Sequence, residues 1–204
     1  MLLIIGISAS FCDAVKLAVQ TAIKYVAFRR TGQDTGDFNI NCHARQLLHL
    51  GLYETMILFL DFDGVLHPQY EDQPVPADVA FCHLPQFEAV IREFPAVEIV
   101  ISSTWREQFS LANLRSRFSP DIASRIIGTT LLAKDQVTPR LVERREWEIV
   151  TWLTVQGRSN EPWIALDDAA WQFKHHRDHL VACTGYLGLH SNAEFRLRAA
   201  LAVA

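Results

Sequence analysis

The sequence contains few cysteines and lacks the short motifs that most often bind zinc or nucleotides. Its four cysteines are far apart and form no Cys-x-x-Cys pair, so neither a zinc ribbon nor a disulfide framework is indicated. We expect reduced thiols in a cytoplasmic protein. Neither a P-loop nor a Gly-x-Gly-x-x-Gly motif occurs, which argues against nucleotide binding by those two devices.

A long uninterrupted apolar run is also missing. The opening segment MLLIIGISASF covers only residues 1–11, and Asp13 and Lys16 follow it, so the sequence predicts no membrane span. The segment also lacks the positive start of a signal peptide. We predict an N-terminal extension at residues 1–55, helical or disordered, and a folded domain at residues 56–204. No obligate protein partner is evident.

Charge is nearly balanced overall but not locally. A formal net charge of -4 gives no global signature of a nucleic-acid-binding or membrane-binding protein. Residues 104–145, by contrast, contain eight basic and four acidic residues. Such an excess is usual for solvated helix faces, and it is also where an anionic substrate would be attracted.

Short apolar runs alternate with helical periods in the predicted domain. The helical periods include Leu84 to Phe94, Phe109 to Phe118, Ile149 to Leu153, and a last helix for which Ser191 is a plausible N-cap. Strands that are apolar throughout and separated by helices favour a doubly wound, mainly parallel α/β sheet, with ligand sites at the carboxyl ends of the strands. The predicted strands are residues 56–62, 97–102, 125–129, 163–168 and 179–184.

Polar residues occur at the ends of three of these strands. Aspartate and serine are common turn formers, so each pair alone would say little. Three such pairs at one edge of a parallel sheet indicate a shared site, and we expect the four aspartates to surround one Mg²⁺ ion, which prefers oxygen ligands. The pairs are Asp61 and Asp63 after the first strand, Ser102 and Ser103 after the second, and Asp167 and Asp168 after the fourth.

This set of residue types suits phosphoryl chemistry. A carboxylate can attack phosphorus to give an aspartyl-phosphate, provided that a metal ion and nearby donors offset the repulsion between two anions. A serine hydroxyl could donate a hydrogen bond to the transferred group. A guanidinium or ammonium group would complete the charge balance.

The same residues carry a family resemblance. DFDGV at 61–65, VISSTWR at 100–106 and ALDD at 165–168 resemble motifs I, II and IV of the haloacid dehalogenase (HAD) superfamily of phosphohydrolases. Together with RxxEIxxWL from Arg145 and GYLGLHS near residue 188, they are similar to the HAD domain of Swiss Army Knife RNA repair proteins. The resemblance covers the predicted domain and leaves the N-terminal extension uncovered.

The resemblance implies a role for each aspartate. Asp61 would be the nucleophile and a magnesium ligand. Asp63 would act as acid toward the leaving oxygen and then as base for water, while its main-chain carbonyl contacts the metal. Asp167 and Asp168 would hold magnesium, directly or through water.

The neighbouring positions acquire binding roles in the same way. Ser102 matches the motif II hydroxyl, with Ser103 a close second. Gly64 would permit the tight turn beside the substrate. Trp105 and Arg106 follow motif II at the expected mouth of the site, so we predict that they contact the substrate, although they could equally mark the start of a helix.

Motif III departs from the family pattern, which usually has lysine. Arg145 fits the RxxEI spacing, while Arg144 could be a surface residue and Lys134, in an earlier loop, remains a possible substitute. Arginine carries a less compact charge than lysine. Which of the three residues fills the role stays open at this point.

The connections between the predicted strands leave no room for a separate cap domain. An open site favours a large phosphorylated substrate such as an RNA or DNA end or a phosphoprotein, and nucleotides and other small phosphate esters would also enter. The sequence therefore indicates a magnesium-dependent phosphatase. Two alternatives are a catalytically weak binding or regulatory module, suggested by the arginine at motif III, and a phosphotransferase that uses the same residues.

Overall fold

A computed structural model of the chain describes residues 55–70, 75–130 and 142–202. Five strands form one parallel sheet in the order β3-β2-β1-β4-β5, which confirms the predicted α/β architecture. Each strand is shorter than its sequence pattern by one to three residues. The strands are β1 (Met56–Leu60), β2 (Val97–Ile101), β3 (Ile126–Thr129), β4 (Trp163–Asp167) and β5 (Leu180–Ala182).

Helices connect and cover the strands. The single helical period predicted from Phe109 to Phe118 is instead a short helix, and a second short helix starts at Pro120, where proline suits the first helical turn. Ser191 is the first helical residue and His190 precedes it as the N-cap. The helices are α1 (Leu84–Glu93), α2 (Leu111–Arg115), α3 (Pro120–Ala123), α4 (Arg144–Val155) and α5 (Ser191–Leu201).

The alternation of side chains along β1 builds a core on each face of the sheet. Leu58 and Leu60 belong to one buried cluster with residues of α1 and α5. Ile57 and Phe59 belong to the other, in which the ring of Trp152 on α4 meets Phe59 edge to face at 5.6 Å. Both faces of the sheet are therefore buried, as in a doubly wound fold.

The strand order places a topological switch point between β1 and β4. From β1 the chain proceeds outward through β2 to β3, and β4 then lies on the other side of β1. Backbone hydrogen bonds continue past the strand ends. The N–H of Asp61 donates to the carbonyl of Leu166 (3.1 Å), and the N–H of Ser102 donates to the carbonyl of Leu60 (2.9 Å). The residues that follow β1 and β2 are thus fixed by the sheet.

The predicted N-terminal extension, apart from Thr55, lies outside the described residues. Within the described ranges, no helix combines the length and the apolarity that crossing a bilayer requires.

Candidate active site

Three carboxylates converge at the switch point. Oxygen atoms of Asp61, Asp167 and Asp168 all lie within 4.8 Å of one another. Asp61 and Asp167 are buried and Asp168 is partly exposed. The sheet causes this convergence, because β1 and β4 are neighbours and both present their carboxyl ends at the same edge.

Arg145 at the start of α4 supplies the compensating charge. Its Nη2 lies 3.0 Å from Asp61 Oδ2, its Nε lies 3.1 Å from Asp167 Oδ2, and its side chain is only 6% exposed. Burial alone would lower the pKa of Arg145, but the two carboxylates outweigh burial and raise it, so the guanidinium stays charged. Arg144 is instead half-exposed and pairs with Glu107 and Glu148.

Of the three candidates for the motif III role, Arg145 is the one that the structure places at the carboxylates. Helix α4 begins with both arginines, and consecutive helical residues point about 100° apart, so only one of them can face the sheet edge. Lys134 lies outside the described residues.

One guanidinium does not fully offset three clustered carboxylates. Burial, together with the nearby Asp61, raises the pKa of Asp167 from 3.8 to about 7, although Arg145 opposes the rise. Burial and the same neighbour raise the pKa of Asp168 to about 6. The site therefore favours a further positive charge, which a divalent cation would supply.

The donor set suits a hard cation such as Mg²⁺. All three converging groups offer oxygen, and Asp167 Oδ2 is buried with no hydrogen-bond partner among the described residues, the nearby Nε of Arg145 being poorly aligned for one. Gly64 has φ +68°, and a Cβ atom there would collide with the carboxyl group of Asp168. A Cβ atom at Gly185 would lie 2.5 Å from Asp168 Oδ2. The two glycines leave space around this carboxylate.

The side chain of Asp63 does not join the three converging carboxylates, contrary to the expected cluster of four. It turns toward Trp105, whose Nε1 donates to both carboxylate oxygens at 3.1 and 3.0 Å, and toward His67, whose Nε2 lies 3.0 Å from Oδ1. Burial tends to raise the pKa of Asp63, but these hydrogen bonds prevail and lower it. Asp63 therefore differs from the other three aspartates in its partners, and its pKa shift is opposite in direction to those of Asp167 and Asp168.

The two serines after β2 are in different situations. Ser102 is buried, and its hydroxyl oxygen has no hydrogen-bond partner within the described ranges. Ser103 Oγ accepts the backbone N–H of Trp105 at 3.4 Å and caps the 3₁₀ turn at Thr104–Glu107. Ser102 is thus the serine with an uncommitted hydroxyl.

Arg106 lies inside the protein, not at the mouth where the sequence suggested substrate contact. Its side chain is 1% exposed and pairs with Glu148 of α4 at 2.5 Å. Its Nη1 donates to the carbonyls of Ser102 and Ser103, each at 2.6 Å. These contacts of Arg106 stabilise the turn that contains Ser102 and Ser103.

Four residues near the site escaped the sequence analysis. His67 lies two residues after the DFDGV segment, but only its contact with Asp63 reveals a role. Gln172 accepts the backbone N–H of Arg145 at 3.1 Å, and Thr130 buries an unpartnered hydroxyl after β3, as judged from the described residues. Gly185 opens the GYLGLHS segment, but only its closeness to Asp168 reveals a role. Gln172 and Thr130 have no sequence signal beyond their residue type.

A cavity of about 90 Å³ adjoins Arg145. Three arginines contribute to its walls, and two of them are buried. Its lining consists of Thr104, Arg106, Arg144, Arg145, Glu148 and Gln172.

Comparison with protein families gives one match. The family described as "HAD domain in Swiss Army Knife RNA repair proteins" matches residues 57–193, a segment that contains every site residue named above. Comparisons with curated proteins and with solved structures give no significant match.

Proposed function

The chain belongs to the family of HAD domains in Swiss Army Knife RNA repair proteins, and from this premise we propose a magnesium-dependent phosphohydrolase that acts through an aspartyl-phosphate on Asp61. Its proposed substrate is the phosphate of a nucleic-acid end or of a nucleotide. The observation that carries the proposal is the convergence of Asp61, Asp167 and Asp168 around the buried Arg145.

Asp61 is suited to nucleophilic attack because its carboxylate is fixed. Oδ1 accepts the backbone N–H of Phe62 at 2.8 Å and Oδ2 pairs with Arg145. In the first step, a carboxylate oxygen of Asp61 bonds to phosphorus while the bond between phosphorus and the leaving oxygen breaks. Asp63 gives its proton to that oxygen.

In the second step, water attacks the phosphorus of the aspartyl-phosphate. Asp63 takes a proton from the water, and the bond to Asp61 breaks to restore the carboxylate and release phosphate. Because the lowered pKa of Asp63 keeps its carboxylate ionised, the carboxylate is available to accept this proton. The first step instead requires the protonated form of Asp63, which is the minor form at neutral pH.

Two further residues are positioned to bind the phosphoryl group. The free hydroxyl of Ser102 can donate one hydrogen bond, and Arg145 Nη1, which is buried and unpartnered among the described residues, can donate another. A Mg²⁺ ion held by Asp61, Asp167 and Asp168 would offset the negative charge of the phosphate.

A nucleic-acid end is proposed as substrate from the family and from the local charge. Residues 104–145 carry the basic excess of the sequence, and Arg144 is half-exposed on the wall of the cavity that adjoins Arg145. A polyanion would be attracted to such a basic segment more strongly than a monoanion.

The test is a substrate panel assayed with and without Mg²⁺. It contains 4-nitrophenyl phosphate, 5′- and 3′-phosphorylated oligonucleotides, nucleotides and sugar phosphates, each compared with the Asp61→Asn variant. We expect phosphate release that requires Mg²⁺, favours the oligonucleotides or nucleotides and disappears in the variant. Absence of turnover on the whole panel, or an active Asp61→Asn variant, would overturn the proposal.

A binding module without turnover is the second candidate function. Arg145 already pairs with two of the three carboxylates, which would stabilise the fold without any reaction. Such a module would bind inorganic phosphate in a Mg²⁺-dependent way and release none from any ester of the panel.

A further inference from the structure

The side chains of His67 and Trp105 hold the carboxylate of Asp63 by hydrogen bonds. Its Oδ1 receives hydrogen bonds from both His67 and Trp105, while its Oδ2 receives one from Trp105 alone. Oδ2 therefore keeps a free lone pair. It is the atom of Asp63 best placed to carry the exchanged proton.

The second ring nitrogen of His67 indicates which nitrogen carries the hydrogen. The His67 side chain is fully buried, and its Nδ1 accepts the backbone N–H of Phe81 at 3.4 Å. A ring nitrogen that accepts a hydrogen bond has no proton of its own, so the hydrogen of the neutral ring lies on Nε2. His67 is thus a donor to Asp63.

The backbone of Phe81 is strained where it meets His67. Phe81 has φ +60°, and it is the only residue other than glycine with a positive φ in the described part of the chain. For a bulky residue this conformation is strained and persists only where the surroundings impose it. Here it directs the Phe81 N–H at the histidine.

Aromatic packing against Phe81 holds both Trp105 and His67 in place. The ring of Phe81 lies 5.3 Å from that of Trp105 and 5.3 Å from that of His67, both nearly edge to face. Phe62, between the two catalytic aspartates in sequence, packs against Trp105 at 5.9 Å. The two donors to Asp63 therefore belong to one rigid cluster.

We propose that His67 and Trp105 are positioning residues that hold the carboxylate of Asp63 toward the leaving group and away from the metal-binding carboxylates. This inference rests on the proposed function. Without the two donors, Asp63 would be free to turn toward a cation held by Asp61, two residues away, and would then serve as a ligand instead of an acid. His67 and Trp105 would thus keep Asp63 available as the acid, while Asp61, Asp167 and Asp168, which have the same side chain, serve as metal ligands.

The test compares two leaving groups. Loss of a correctly placed acid slows departure of a poor leaving group, such as the hydroxyl of a nucleoside, far more than departure of 4-nitrophenolate. The quantity to measure is kcat/KM, because it reports only the steps up to release of the leaving group and so excludes the base-assisted second step.

Three variants separate hydrogen bonding from packing. Trp105→Phe keeps an aromatic ring and removes the donor; His67→Leu removes the other donor, whereas His67→Gln retains an N–H. We expect Trp105→Phe and His67→Leu to lower kcat/KM for a nucleoside monophosphate about 10- to 100-fold and for 4-nitrophenyl phosphate less than about 3-fold. His67→Gln should recover most of the loss. If His67→Leu fails to fold, the Trp105→Phe variant carries the test.

A double-mutant cycle with Asp63→Asn checks that the two residues act through Asp63. In that background, Trp105→Phe should have no further effect. Equal losses on both substrates, or a further loss in the Asp63→Asn background, would overturn the inference and leave the proposed function intact. A wild-type protein that hydrolyses neither substrate would instead overturn the proposed function.

Discussion

The guanidinium of Arg145 lies 3.0 Å from the carboxylate of Asp61, and both side chains are only 6% exposed. The two residues are 84 positions apart, and they meet because α4 begins above the carboxyl end of β1. Arg145 also reaches Asp167, so one cation links the ends of both strands that flank the switch point.

Removal of the Arg145 guanidinium should lower both the stability of the fold and the catalytic rate. Arg145→Met would leave Asp61 and Asp167 buried without their partner, which typically destabilises a protein by about 3–5 kcal/mol. We expect kcat to fall at least about 100-fold, because a donor to the transferred group is also lost. Urea unfolding and steady-state kinetics measure the two effects.

Arg144→Met is the matched control, one residue earlier on the same helix. Arg144 is 42% exposed, and Glu148, its buried partner, would keep its ion pair with Arg106, so loss of Arg144 should change stability by less than about 1 kcal/mol. Equal effects of the two substitutions would contradict the role assigned to Arg145.

A side chain at Gly64 should disturb the site itself, and Gly157 provides a control for the effect of backbone strain alone. Gly64 and Gly157 both have φ +68°, but a Cβ atom would meet the Asp168 carboxyl group at Gly64 and nothing within 4 Å at Gly157. Alanine at either position should cost about 1–2 kcal/mol in backbone strain. Only Gly64→Ala should also weaken Mg²⁺ binding, measured by calorimetric titration. Equal Mg²⁺ affinity in the two variants would show that the Asp168 carboxylate is not part of the metal site.

Arg106 should stabilise the fold and contribute little to substrate affinity. Arg106→Met would remove the buried partner of Glu148 and the donor to two carbonyl groups, at an expected cost of about 3–5 kcal/mol in the free energy of unfolding. Arg92→Met provides the control. Arg92 is 45% exposed and pairs with exposed Asp121 and with Glu88, which keeps the backbone N–H of Ser119 as a donor, so loss of Arg92 should have little effect on stability. An Arg106→Met variant with unchanged stability and a raised KM would restore the substrate contact suggested by the sequence.

Metal binding should depend on pH in a defined direction. The pKa of Asp167 is raised to about 7 and that of Asp168 to about 6. A carboxyl group with a raised pKa contributes stability at low pH that is lost as the pH rises through the folded-state value. The metal-free protein should therefore lose stability between about pH 4 and pH 7, while Mg²⁺, which binds the ionised groups, should restore it.

The corresponding measurement is the Tm in EDTA and in Mg²⁺ across this range. The gap between the two melting temperatures should widen as the pH rises and should shrink in the Asp167→Asn variant, which cannot ionise. A gap that stays constant with pH would indicate that these carboxylates do not bind the ion.

The sequence predicted those features that depend on the pattern of residues along each strand. The apolar runs located β1 to β5, and the polar residues at their ends located Asp61, Asp167 and Asp168, because strands of a parallel sheet end at a common edge. The same argument pointed to Ser102, whose role in binding phosphate stays a prediction. The motif resemblance then supplied the roles that spacing alone could not give.

Contacts between distant segments account for what the sequence could not predict. The burial of Arg106 depends on Glu148, 42 positions away, and the orientation of Asp63 depends on where Trp105 lies after folding. The choice between Arg144 and Arg145 depends on the rotation of α4 about its axis. Each is decided by tertiary packing, which leaves no periodic trace in the sequence.

The most direct measurement of the central claim is chemical trapping of the intermediate. Protein quenched during turnover of a phosphorylated oligonucleotide is reduced with borohydride, which converts an acyl-phosphate side chain into homoserine, and the peptide that contains Asp61 is then analysed by mass spectrometry. The mechanism predicts homoserine at position 61 when Mg²⁺ is present and none when it is withheld. Turnover that leaves Asp61 unmodified, or that modifies another carboxylate, would contradict the mechanism.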